Sequence, residues 1–178
     1  MRTRFNNKWQ KTRGNVDVRK IVKVVGQFPL LHAYGVGFGQ FRSIPEATRS
    51  KCIDYARYML AFELDDEIDA AFAFLKAVGI SQCGREQHYV RTEYLLELYS
   101  YWRKGTEKYP EFLPIGVFGV AAFLLKANIR VAEELKPHFL VPVSIDKRAK
   151  VEKFLEATRG FKRWEDSQIY WQCEAAIG

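Results

Sequence analysis

Residues 115–135 read Ile-Gly-Val-Phe-Gly-Val-Ala-Ala-Phe-Leu-Leu-Lys-Ala-Asn-Ile-Arg-Val-Ala-Glu-Glu-Leu. The first half is apolar on every side, so a helix built from it offers no face to water and belongs inside a core. Pro110 and Pro114 bracket a turn just ahead of it. The apolar run, 115–125, is too short to cross a bilayer and is closed by Lys126 and Arg130. The stretch therefore predicts one long central helix over 115–135, with the rest of the chain packed around it.

Working backward, Ser43-Ile44-Pro45-Glu46 has the form of a capping box, in which Ser43 caps the free amides of a helix start and Glu46 caps back. The helix that follows buries Ile53, Ala56 and Leu60, flanked by Cys52, Tyr55, Met59 and Phe62, and turns Arg49, Asp54 and Arg57 outward. A second, over 66–78, buries Ile68, Ala71, Phe72 and Leu75 before Gly79 stops it. A third, over 85–103, places Leu95, Leu98, Tyr99 and Trp102 inside and is followed by Gly105. Working forward, Pro137 and Pro142 make an extended connection, a helix over 146–158 buries Val151, Phe154 and Leu155, and a last helix starts near Trp164. At 178 residues with 48% hydrophobic composition the chain has enough apolar side chains for one sizeable core. The expected fold is all-α, a compact antiparallel helical bundle over 43–178, preceded by an extended basic N-terminal arm and hinge over 1–42.

The arm itself, MRTRFNNKWQKTRGN over 1–15, has no sustained period and ends in Gly14-Asn15, as expected of a segment that orders only on a partner. Val16 to Val25 is rich enough in β-branched residues for a strand, but Val18, Ile21, Val22 and Val25 share one helical face. A short helix is favoured, ended by Pro29, and Gly35, Gly37 and Gly39 then read as a flexible joint. Charge is placed very unevenly. Residues 1–23 hold eight bases (Arg2, Arg4, Lys8, Lys11, Arg13, Arg19, Lys20, Lys23) against Asp17, whereas the remaining residues hold twenty bases and twenty acids. The whole net charge of +7 thus lies in the arm and its continuation. A polyanion favours such a segment, because each base can release a counterion from a phosphate without straining the folded body. Phe5 and Trp9 interleave with these bases and can stack on nucleotides, wedge against sugars or anchor the arm to another subunit. A solubilising tail is the competing reading of the charge; a membrane surface is disfavoured because the arm lacks an amphipathic apolar stripe.

No constellation in the chain reads as catalytic. Asp65-Asp66-Glu67-Ile68-Asp69 has the DDxxD spacing that holds magnesium and diphosphate, but acids also belong in the first turn of a helix, where its dipole favours them. His88-Tyr89-Val90-Arg91 has the HxxR spacing that grips a scissile phosphate, yet reads better as a solvated helix face. Gly35-Val36-Gly37-Phe38-Gly39 lacks the spacing and the Lys-Ser/Thr of phosphate loops. Cys83 and His88 have no second pair at zinc-ligand spacing, and His32 and His138 stand among prolines and apolar residues, where a structural role is commoner. Cys52, Cys83 and Cys173 form no CxxC and do not make a disulfide framework, which fits a reducing compartment, and the basic opening does not read as a signal peptide. No enzyme activity, metal, cofactor or small-molecule substrate is expected.

Arg4-Phe5-Asn6-Asn7-Lys8-Trp9-Gln10-Lys11 in the arm, Leu96-Glu97-Leu98-Tyr99-Ser100-Tyr101-Trp102 followed by Gly105, and Tyr109-Pro110-Glu111-Phe112-Leu113 together carry a resemblance. The chain resembles the major capsid proteins of filamentous and rod-shaped archaeal DNA viruses, in which a basic arm precedes a helical body with an aromatic helix, a glycine turn and a Pro-Glu helix start. That resemblance implies a dimeric building block, of one protein or two related ones, stacked helically around double-stranded DNA, made in the host cytoplasm and ending in the virion. Residues from Pro137 onward would be an added C-terminal element. The expected function is a structural nucleoprotein that coats DNA without reading its sequence through Arg2, Arg4, Lys8, Trp9, Lys11, Arg13, Arg19, Lys20 and Lys23; the charge pattern fits RNA as well. The alternative is a small accessory or regulatory nucleic-acid-binding protein. Trp164, Tyr170 and Trp171 either pack against other subunits or close the chain's own bundle.

Overall fold

The computed structural model describes residues 16–38, 41–81, 85, 88–103, 108–132 and 138–144. The arm, Gly39, Cys83, Gly105, Pro137 and the helices expected over 146–158 and beyond Trp164 lie outside the described residues. Within them, the chain runs α1 (Val18–Gln27), β1 (Leu31–His32), β2 (Gly35–Val36), α2 (Glu46–Phe62), α3 (Asp65–Val78), β3 (Tyr89–Arg91), α4 (Thr92–Arg103), α5 (Ile115–Leu124), β4 (Arg130–Ala132) and β5 (His138–Pro142).

The central position of α5 follows from its composition. Every residue from Gly116 to Ala122 is buried, and the helix touches α1, α3, α4, both strands of the β1–β2 hairpin and β5. Its two glycines permit this crowding. A β-carbon on Gly116 would collide with the His32 carbonyl oxygen, and the Gly116 amide instead donates to the Ala33 carbonyl at 2.8 Å, which pins the helix start to the hairpin. At Gly119 a β-carbon would sit 2.9 Å from the Phe139 ring, so this glycine lets β5 lie against the helix. Beside α5, Phe74, Tyr99 and Phe118 meet edge to face with centroids 5.7–6.3 Å apart, the arrangement aromatic quadrupoles favour. Tyr99 is fully buried; its hydroxyl donates to the Pro110 carbonyl at 2.6 Å, and burial pushes it up to about 12.

The all-α expectation is overturned: the described residues form a mixed α/β fold of five helices and two small antiparallel sheets. The long helix expected over 115–135 stops at Leu124, because Lys126 takes the left-handed conformation with φ 58°. The Lys126 amide then donates to the Phe123 carbonyl and the Ala127 amide to the Ala122 carbonyl, both at 2.9 Å, the paired bonds of a Schellman motif. With the helix closed, residues 130–132 become a strand. The expected extended connection at Pro142 is likewise a strand, β5, and it is the middle one of the three-stranded sheet β3-β5-β4. Val90 pairs with Val141, Arg91 and Arg130 both pair with Leu140, and Val131 pairs with Phe139. The helix expected over 85–103 loses its first part to β3 and begins at Thr92. His88–Arg91 is accordingly no solvated helix face, since Val90 is buried and His88 and Tyr89 are half-buried.

Two local expectations are also corrected. Pro45 caps α2 and no side chain there caps a free amide, so Ser43 and Glu46 form no capping box. Gly35 and Gly37 are buried parts of the hairpin rather than a loose joint: Leu31 pairs with Val36 and His32 with Gly35 across a turn at Ala33 and Tyr34, and Gly35 in β2 and Gly37 just after it take positive φ, 129° and 74°, which suits glycine. Ile21, Val25, Leu31, Ala33, Val36 and Phe41 join the same core as the helices after residue 43.

Candidate nucleic-acid interface

The short helix favoured for the β-branched stretch is α1. Asp17 opens it, its carboxylate accepting from the Arg19 amide at 3.0 Å. At 100° per residue Arg19, Lys20 and Lys23 fall within one sector of the helix, opposite Ile21 and Val25. Burial follows that geometry, with Ile21 and Val25 in the core and the three cations exposed. The apolar face that would let a basic helix lie in a membrane is thus committed to the core. Among the described residues no helix is long and apolar enough to cross a membrane.

The far end of α1 is held by a residue that the sequence placed on the outer face. Arg57 of α2 donates to the carbonyls of Phe28 at 2.7 Å and Leu31 at 3.0 Å through Nη1, and to Val25 at 2.8 Å through Nη2. Of these, the Val25 carbonyl lies in the last turn of α1, where a helix leaves its carbonyls without partners, whereas Phe28 is the C-cap, its carbonyl also accepting from the Leu31 amide at 3.0 Å, and Leu31 belongs to β1; a cation there also opposes the negative end of the helix dipole. No local signal marks Arg57 for this role, because its partners lie 26 to 32 residues earlier in the chain. Phe28 is fixed from another side by stacking on Phe123 of α5, centroids 4.1 Å apart. The cationic turn is therefore mounted on a rigid support.

His32, beneath the same helix end, is fully buried. Its Nδ1 accepts from the Tyr34 amide at 3.2 Å, so Nε2 carries the proton and donates to the Gly37 carbonyl at 2.8 Å. Burial holds its pKa below the ordinary histidine range; the Gly37 bond opposes that shift and the Arg57 charge adds to it.

A second set of cations stands on the three-stranded sheet. Arg91 and Arg130 share a face across Leu140, and the Arg130 guanidinium lies 4.1 Å over the Tyr89 ring. Among the described residues, the structure packs α1 mainly on α2 and α5. Of the nine residues expected to bind nucleic acid, it brings together Arg19, Lys20 and Lys23; Arg2, Arg4, Lys8, Trp9, Lys11 and Arg13 lie outside the described residues. Asp65, Asp66 and Glu67 occupy the first turn of α3, where Glu67 is shifted up, chiefly by burial. Among the described residues no three His, Cys, Asp or Glu side chains are placed to hold a metal ion. No family model, curated protein or solved structure matches the chain.

Proposed function

We propose that this protein coats nucleic acid, double-stranded DNA in the first instance, by gripping the phosphate backbone without reading base sequence, and that it does so as copies that associate along the duplex. One observation carries the reading. The entire excess charge lies in residues 1–23, and its described portion, Arg19, Lys20 and Lys23, stands exposed on a helix whose other face is locked into the core. Phosphate contacts of this kind position a protein but carry no sequence information. The resemblance to archaeal viral capsid proteins supports the same reading, with the virion as the destination. A small accessory nucleic-acid-binding protein is the second reading, favoured by the modest number of cations on α1.

The test uses the full chain and two fluorescent duplexes of unrelated sequence, titrated by anisotropy over a range of salt. The two duplexes should bind alike, with affinity falling steeply as salt rises. Lys20→Glu with Lys23→Glu should weaken binding to both and flatten the log–log salt slope by about 2, close to one phosphate per residue. Changing Arg4, Lys8 and Lys11 to Gln should act in the same direction. Unchanged affinity in both variants would remove the reading, and preference for one short site would favour the accessory protein.

A further inference from the structure

We infer that the outer face of the three-stranded sheet is a second contact for the nucleic-acid backbone, where Arg91 and Arg130 take phosphate oxygens at a place separate from the arm and α1. The inference rests on the proposed nucleic-acid reading for the identity of the partner, and it assigns that partner a further surface on the folded body.

The register makes the face. Residues paired across an antiparallel ladder point to the same side of the sheet, and neighbours along a strand point to opposite sides. Val90 and Val141, and Val131 and Phe139, therefore share the inner side, where Val90, Phe139 and Val141 are buried and the Phe139 ring lies against Gly119 of α5. Tyr89, Arg91, Leu140 and Arg130 share the outer side. There Arg91 is exposed, and Tyr89, Leu140 and Arg130 are half-buried.

Both outer strands supply a cation to this side. Arg91 of β3 and Arg130 of β4 each pair with Leu140, so their Cα atoms stand about 10 Å apart, two strand spacings. The Arg130 guanidinium lies 4.1 Å over the Tyr89 ring, so the side chains of β4 and β3 meet across the middle strand. Arg91 follows Tyr89 on the same side, about 7 Å along β3. The charges are thus carried toward one strand, and an aromatic ring orients a guanidinium without neutralising it. Both arginines also make other contacts within the chain, but five N–H donors let a guanidinium keep a partner and still present a pair to a phosphate. The three strands contain no acid. Such a face attracts a polyanion and repels the same face of another copy. Because α5 packs against both α1 and β5, one core carries both cationic surfaces.

Anisotropy titration of the full chain with a fluorescent duplex, over a range of salt, reads the contact. Arg91→Gln with Arg130→Gln should lower affinity at least about tenfold near about 0.1 M salt and flatten the log–log salt slope by about 2, whereas Arg91→Lys with Arg130→Lys should keep the slope. Arg130 contacts Tyr89, so Arg91→Gln alone, at an exposed position, guards against a loss of fold; it should flatten the slope by about 1. Circular dichroism verifies the fold of each variant. Phenylglyoxal labelling read by mass spectrometry locates the contact directly, and saturating duplex should slow modification of Arg91 severalfold. A slope unchanged in both Gln variants, or Arg91 labelling that duplex does not slow, would overturn the inference. If that happens while Lys20→Glu with Lys23→Glu still loses affinity, the sheet contact alone falls; if neither set of variants loses affinity, the nucleic-acid reading falls with it.

Discussion

Replacing Arg57 by Ala removes three hydrogen bonds at once from the support of α1. The Phe28 carbonyl is solvent-exposed and water takes over that bond, so its loss costs little. The Val25 and Leu31 bonds are partly buried, and a bond from a charged donor is worth about 1.5 kcal/mol at the low end of its range. Losing both therefore destabilises the protein by about 2–3 kcal/mol. For a chain of this length that lowers the melting temperature by roughly 5–10 °C. Arg57→Lys should recover only part of the loss, because an ammonium group cannot fork toward carbonyls on two sides as a guanidinium does. Urea denaturation followed by circular dichroism gives the free energies. Amide exchange should show the α1 amides losing protection before those of α5 do, since the clamp is local to α1. If Arg57→Ala changes stability by less than about 0.5 kcal/mol, an ordinary surface effect, the clamp contributes nothing and the rigid mounting of the cationic turn is refuted.

Lys126→Gly should stabilise the protein by about 0.5–1 kcal/mol, because the left-handed conformation strains a lysine and suits glycine, less the extra chain entropy glycine loses; a lower urea midpoint would mean that α5 does not end this way. For His32 the sign is set by a pKa lowered in the fold: the unfolded chain takes up a proton near the ordinary histidine value while the native ring resists, so stability is full above that value and falls as pH drops below it. Urea midpoints should therefore decline from pH 7.5 to pH 5 more steeply for the native protein than for His32→Gln, and equal slopes would show that His32 is not held neutral.

Helices whose burial pattern is local were readable in advance. Ile21 and Val25 in α1, Ile53, Ala56 and Leu60 in α2, and Ile68, Ala71 and Leu75 in α3 each recur at the helical period, and each face is buried. Gly79, with φ 83°, ends α3 as its position foretold. The strands were not readable, because segments as short as Tyr89–Arg91 and Arg130–Ala132 hold too few residues to separate a period of two from one of 3.6. Lys126 hid the end of α5, since left-handed helix ends are usually marked by glycine or asparagine.

The sequence by itself determined where the charge sits and which helices have one apolar face, because both are properties of residues close together in the chain. It also determined that the apolar first half of the stretch 115–135 would be the centre, though not that the helix would end at Leu124, since a segment apolar on all sides has nowhere else to go. Only the tertiary structure decided that Val90 would pair with Val141, that β5 would lie between β3 and β4, and that Arg57 would turn inward onto the end of α1. Those outcomes depend on backbone groups brought together from distant parts of the chain, and a hydrogen-bond partner that arrives only on folding leaves no mark on the residues beside it.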